Sequence, residues 1–137
     1  MQEDTGHNMG TQEQRTSSGF SPNVAGALSY LLGIITGVLF FALEKENRFV
    51  RFHAMQSILL SVAWVALFIV IDIVEIVLGF IPYLSFIVVI LSLLVTLVLG
   101  LGGLVLWIYL MLKAFQGDKV RLPYIGDMAE KYANGAQ

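Results

Sequence analysis

From Ile76 to Leu112 the chain runs 37 residues without a charged side chain, bounded by Glu75 and Lys113. The hydrocarbon core of a bilayer is about 30 Å thick and takes roughly 20 mostly apolar residues per helical crossing. A stretch this long and this pure has no place in a small soluble fold. Two further apolar stretches, Val24–Leu43 and Ser57–Ile71, precede it. Charged residues make up 13% of the chain, against about 25% in a soluble domain. With 137 residues there is no room for a separate extramembrane domain of ordinary size. The sequence therefore predicts an all-α integral membrane protein: a bundle of three transmembrane helices with a short amphipathic C-terminal segment.

Residues 1–20 are polar and carry almost nothing apolar to bury, which predicts a disordered tail; they also lack the basic start and apolar core of a cleaved signal peptide. The bundle is assigned to 21–116, with spans at about 23–43, 57–78 and 84–113, followed by a tail at 117–137. Ser21-Pro22 suits a helix start, and Asn47 suits the cap of a second helix that opens with an amphipathic turn at Arg48. Gly79 and Pro82 punctuate the next connection. The third segment is long, since 30 helical residues measure ~45 Å. Splitting it at Gly100–Gly103 leaves pieces of about 16 and 12 residues, short of the usual ~17–25; one tilted or bent helix fits better. Lys45, Arg48 and Arg51 follow the first span, and Lys113, Lys119, Arg121 and Lys131 follow the last. Short cytoplasmic loops carry the Lys/Arg excess, and three spans put both basic groups on one side. The expected topology in the cell membrane is N-terminus outside and C-terminus cytoplasmic.

Two small-residue stripes, Ser29, Gly33 and Gly37 on the first span and Thr96, Gly100 and Gly103 on the third, are expected helix contacts, because small residues let backbones approach in lipid. On the second helix Ser57, Ser61, Asp72 and Glu75 share a polar face with His53. Ionisable residues within a span are functional candidates by default. Yet Asp72 and Glu75 fall near its outer end, in reach of interfacial water, and His53 is ~28 Å from Asp72, too far for one acid-base site. There is no cysteine and there are two histidines, so no metal centre is expected. Cofactor-binding, catalytic and nucleic-acid motifs are also missing. Arg48 and Arg51 are placed to meet anionic headgroups.

The run Glu44-Lys45-Glu46-Asn47-Arg48-Phe49-Val50-Arg51-Phe52-His53-Ala54-Met55-Gln56-Ser57 resembles a signature of a widespread prokaryotic family of small membrane proteins of unknown function. That family includes the magnetosome proteins MamF and MmsF and is similar to the twenty-kilodalton subunit of the chloroplast import translocon (Tic). Ala114-Phe115-Gln116-Gly117 and Leu122-Pro123-Tyr124-Ile125-Gly126 look like its C-terminal pattern. The resemblance covers roughly Val24–Tyr132 and implies a multi-pass membrane fold more than any activity. Both motifs are expected to meet in a cytoplasmic cap formed by Asn47, Phe49, Arg51, Phe52, His53, Gln56, Gly117, Pro123 and Gly126. In it Phe49, Phe52, His53 and Gln56 pack on Pro123, Tyr124 and Ile125, and Gln56 or His53 satisfies backbone groups of the tail.

Function is read first as a non-enzymatic structural or assembly protein of the cytoplasmic membrane. The alternative is a small transporter, channel or translocation component using the polar face of the second helix. The bilayer is the expected partner, with anionic headgroups, a second copy or another membrane protein as further ones.

Overall fold

The computed structural model describes residues 16–135, and within them the chain is helical with no strand. The helices are α1 (Pro22–Leu31), α2 (Ile34–Leu43), α3 (Arg48–Gly79), α4 (Ser85–Phe115) and α5 (Ile125–Ala133). The expected disorder of residues 1–15 lies outside the described part. Residues 17 and 18 are held in place, their backbone N–H groups donating to the buried Glu44 carboxylate at 2.8 Å each.

The apolar stretch 24–43 is not one transmembrane helix, which corrects the first predicted span. It is two ten-residue helices broken at Gly33, whose φ of +60° and ψ of −118° form a conformation open to glycine alone. The two halves fold back on each other. Phe20, just before α1, stacks on Phe40 near the end of α2, with ring centroids 6.4 Å apart. Along α3 the order is Ala25 beside Val50 and Ala54, then Tyr30 beside His53 and Gln56, then Gly33 beside Ser57 and Ser61 at the tip. Going back, Gly37 faces Ala54 and Ile58, and Phe41 and Glu44 meet Arg51. This is a helical hairpin. Its tip is ~14–20 Å along α3 from Arg48, whereas the 32 residues of α3 measure ~48 Å.

The turn between two apolar helices leaves backbone groups that need partners away from water. Side chains from three helices supply them. Thr36 Oγ1 donates to Ser29 O at 3.0 Å and accepts from Leu32 N–H at 3.1 Å. Trp107 Nε1 of α4 donates to Tyr30 O, and Ser57 Oγ of α3 donates to Gly33 O at 3.0 Å.

α3 and α4 are the two helices long and apolar enough to cross a membrane. Asn47 caps α3 by accepting from Val50 N–H at 3.1 Å. α4 runs unbroken through Gly100–Gly103, so the long third segment is a single helix. It ends at Gly117, whose φ of +87° is the left-handed conformation that closes a helix. α1 lies between the lower parts of α3 and α4, packing Ala27 and Tyr30 on Leu110 and Ala114. No described residue from 58 to 109 is buried. The buried core therefore sits at one end of the molecule, and the rest of α3 and α4 is a two-helix stalk clothed in exposed Val, Leu and Ile.

Both described chain ends lie at that same packed end. Residues 17–18 bond to Glu44, and Arg51 Nε donates to Ala133 O at 2.8 Å. The described ends thus lie together where the predicted arrangement put the termini apart, because α1 and α2 enter and leave at one level. All seven basic residues from Lys45 to Lys131 that set the charge bias still share one end.

Candidate functional site

The functional residues gather where α1, the first turns of α3 and the C-terminal tail meet. α3 is amphipathic only here. Phe52, His53 and Gln56 are fully buried on a helix whose remaining length has no buried position beyond Ser57. Burying an amide and an imidazole is tolerable only if their hydrogen-bonding atoms find partners.

Gln56 does this for the tail. Its Nε2 donates to Val120 O and to the Tyr30 hydroxyl, both at 2.9 Å, and its Oε1 accepts from Leu122 N–H at 3.2 Å. A backbone carbonyl on one side and a backbone N–H on the other allow only this orientation of the amide. Gln56 thus pairs with the extended tail as a neighbouring strand would. Because the Tyr30 hydroxyl accepts from Gln56, its own proton is free to donate to His53 Nδ1, 2.9 Å away. The imidazole then carries its proton on Nε2, which lies beside the Asp118 backbone without forming a hydrogen bond of ordinary geometry. Edge-on contacts with Phe49, Phe52 and Tyr30, at centroid distances of 4.5, 5.2 and 5.6 Å, enclose the ring.

Arg51 ties a second knot. Its Nη1 donates to Phe41 O at 3.2 Å and to Glu44 O at 3.1 Å, at the end of α2, and its Nε donates to Ala133 O at the end of α5. The guanidinium also lies 4.1 Å above the Phe41 ring. One cation therefore serves the carbonyl ends of two helices, where the helix dipole favours positive charge. The planar fork of arginine makes this geometry possible.

α5 is docked through Ala129 and Ala133 on Phe52. Lys119 sits over the Phe52 ring at 4.7 Å and pairs with Glu130 at 3.1 Å, as Arg121 does at 2.7 Å. The hydrogen bond from Lys119, with the charges of Lys119 and Arg121, holds the Glu130 carboxyl below its ordinary range. Gly126 follows a tight turn in which any Cβ would come within 2.9 Å of the Arg121 Cα.

Several expected contacts are placed differently. Tyr124 is 87% exposed and packs on nothing. With Pro123 it makes a three-residue turn, φ +62°, closed by Ile125 N–H to Pro123 O at 2.7 Å. Phe49 turns toward α1, against Gly26, rather than toward the tail. The polar face of α3 is not one site. Ser57 bonds the hairpin tip, Ser61 bonds Ser57 O at 2.8 Å, and Asp72 and Glu75 stand on the stalk far from both. The stripes on the first and third segments do not meet. Ser29 bonds its own helix at Ala25 O, Gly33 is the hinge, Gly37 packs on α3, and Gly103 packs on Trp64 of α3. Thr96 and Gly100 are exposed. Sequence reasoning overlooked Tyr30, Glu44 and Trp107. Each is a lone polar group in an apolar or loop setting, and only Glu44 had a visible signal, its position in the signature run.

Among the described residues no three His, Cys, Asp or Glu side chains come together to hold a metal. The arrangement joins four segments through buried hydrogen bonds, and its chemistry is that of a lock.

Comparison with known proteins agrees that the chain is a membrane protein. Residues 13–129 match the model of the magnetosome magnetite crystal formation protein family, MamF/MmsF. The UPF0132 membrane protein MJ1443 of Methanocaldococcus jannaschii is 44% identical over 120 residues, covering 87% of this chain and 94% of the relative. A UPF0132 membrane protein of Archaeoglobus fulgidus is 43% identical over 114 residues, covering 82% and 96%. A second Methanocaldococcus jannaschii protein, MJ1527, is 35% identical over 114 residues, covering 83% and 71%. No solved structure matches the chain. The relatives are named as membrane proteins without a biochemical role, and this chain, a membrane protein of the same kind, belongs to the MamF/MmsF family.

Proposed function

We propose that the chain is a non-enzymatic structural or assembly protein of the cytoplasmic membrane, with its packed basic end and both termini in the cytoplasm. The observation that carries this reading is how the buried polar groups are used. Tyr30, Gln56, Glu44 and Arg51 each bond to backbone or to one another across elements, and the Tyr30 hydroxyl beside the His53 imidazole is itself buried and held by Gln56. A site for reaction would hold some of these groups free. The basic end also exposes Lys45, Arg48 and Lys131, which favours the cytoplasmic face by the positive-inside rule and suits contact with anionic headgroups.

The competing reading is a transporter or channel that uses Asp72 and Glu75. In proteoliposomes the purified protein is expected to leave proton and alkali-cation flux at the level of protein-free vesicles, and Asp72→Asn with Glu75→Gln to change nothing. Flux that the wild type supports and the double variant loses would replace the structural reading with the transport one. Sidedness has its own test, made simple by the absence of native cysteine. Ser17→Cys and Lys131→Cys are expected to react with an impermeant maleimide only after the cells are permeabilised, and Tyr83→Cys, in the α3–α4 connection, before it. Ser17 and Lys131 labelled from opposite sides would restore the three-span topology.

A further inference from the structure

The helical hairpin gives the molecule very different widths at its two ends. Four helices, α1, α2, α3 and α4, lie side by side from about Arg48 to Ser61 of α3, and α5 packs against the start of α3 beside them. Beyond Ser61 only α3 and α4 continue. The 18 residues from 62 to 79 extend the stalk by ~27 Å, but with Asp72 and Glu75 at the outer interface a hydrocarbon core of about 30 Å reaches back along α3 to about Phe52, and so includes the hairpin tip at Ser57 and Ser61. Helices are about 10 Å across, so the packed end occupies about twice the cross-section of the stalk.

The surface of the hairpin suits lipid rather than water. α2 exposes Ile34, Ile35, Val38, Leu39 and Leu43 at 44% to 67% of their surface, an apolar face that water would penalise. Its tip carbonyls are bonded by side chains, as membrane depth requires. The end of the hairpin also coincides with a change in the stalk. Leu60, Ser61, Trp64, Gly100, Gly103 and Trp107 line an open groove of about 430 Å³ just above the tip, where the four-helix section gives way to two helices.

We infer that the chain is a wedge that partitions by membrane curvature, favouring bilayers that are convex on the side of its basic, packed end. Inserting more material into one leaflet than the other relieves stress where that leaflet is stretched, which is the physical basis of curvature sensitivity in proteins seated in one leaflet. The partner is the bilayer itself. Arg51 and the Gln56–tail pairs hold the wide end together, so the wedge is rigid rather than a loose loop. The inference rests on the cytoplasmic placement of the basic end proposed above and is tested separately from it.

The experiment uses the full chain carrying Lys131→Cys, reconstituted from one detergent mixture into phosphatidylcholine–phosphatidylglycerol vesicles. These are sorted into small and large fractions. Impermeant maleimide labelling before and after detergent gives the share of molecules with the basic end outward in each. An orientational preference on the order of RT is a population ratio of about threefold, so the outward-to-inward ratio is expected to be about threefold higher in small vesicles than in large ones. An equal share in both fractions, or enrichment of the inward orientation, overturns the wedge. Tyr83→Cys serves as the control in the same vesicles. If it labels on the same side as Lys131→Cys, the two-pass placement has failed. If it labels on the opposite side, that placement stands and only the curvature preference is decided.

Discussion

Gly33→Ala is expected to destabilise the protein by about 3 kcal/mol, lowering its melting temperature in mild detergent by well over the scatter of the measurement. The estimate joins about 1–3 kcal/mol for forcing a side chain into a glycine-only conformation with about 1 kcal/mol for loosening the Ser57 bond to Gly33 O. A Cβ at this position would also lie 2.8 Å from Ser61 Oγ, so the Ser61 hydroxyl must turn aside and give up its bond to Ser57 O. The sign of the effect separates the two architectures. In a continuous first span the same substitution would replace glycine by a better helix former and stabilise by up to about 1 kcal/mol. A melting temperature that rises or stays level would therefore remove the hinge and return a straight transmembrane helix. Thermal unfolding followed by near-ultraviolet circular dichroism reports it, since Trp107 bonds to Tyr30 O at the tip.

Arg51→Met is the second large effect. It strips three carbonyls, at Phe41, Glu44 and Ala133, of one charged donor. Hydrogen bonds to charged groups contribute about 1.5–3 kcal/mol each when well buried. Arg51 is half-buried, so the sum is discounted for solvent to about 3 kcal/mol. The loss falls first on α5, which rests on Phe52 through Ala129 and Ala133 and on the Glu130 ion pairs, and loses its terminal anchor. Limited trypsinolysis at Lys131 is expected to accelerate at least about tenfold, the equivalent of 1.4 kcal/mol in the population of the undocked form. Arg51→Lys should recover only part of this, because an ammonium cannot reach two helix ends with fixed geometry. If Arg51 worked only by binding lipid headgroups, the substitution would leave both the melting temperature and the cleavage rate unchanged in an uncharged detergent.

Both experiments probe a part of the molecule that composition does not disclose. The stretch 24–43 has the length and purity of a crossing, and its spacing of small residues reads equally well as a helix-packing face. Glycine is the residue of close helix contact and also the residue of positive φ. Nothing within the stretch distinguishes the two uses. What selects the hairpin is the set of distant groups that make its turn affordable in lipid. Ser57 comes from α3 and Trp107 from α4, while Thr36, seven residues from Ser29, joins them from the returning arm. The same holds for the site. Gln56 and Arg51 stand out as polar residues at the mouth of a membrane helix. The identity of their partners, Val120, Leu122 and Ala133, depends on where a tail 64 to 82 residues away comes to rest.

The sequence by itself determined the solvent and the two long elements. Runs such as 76–112 can satisfy their backbone in lipid only as helices, Asn47 marks where α3 begins, and Gly117 marks where α4 stops. It also set the charge bias that leaves one end basic. The tertiary structure alone decided that the first apolar stretch turns back, that both described ends share the basic end, and that the buried polar residues serve as fastenings. The reason is one of range. Helix formation and membrane residence follow from local hydrogen bonding and hydrophobicity, whereas a break in a helix at membrane depth is stable only when side chains remote in sequence arrive to satisfy the backbone it exposes.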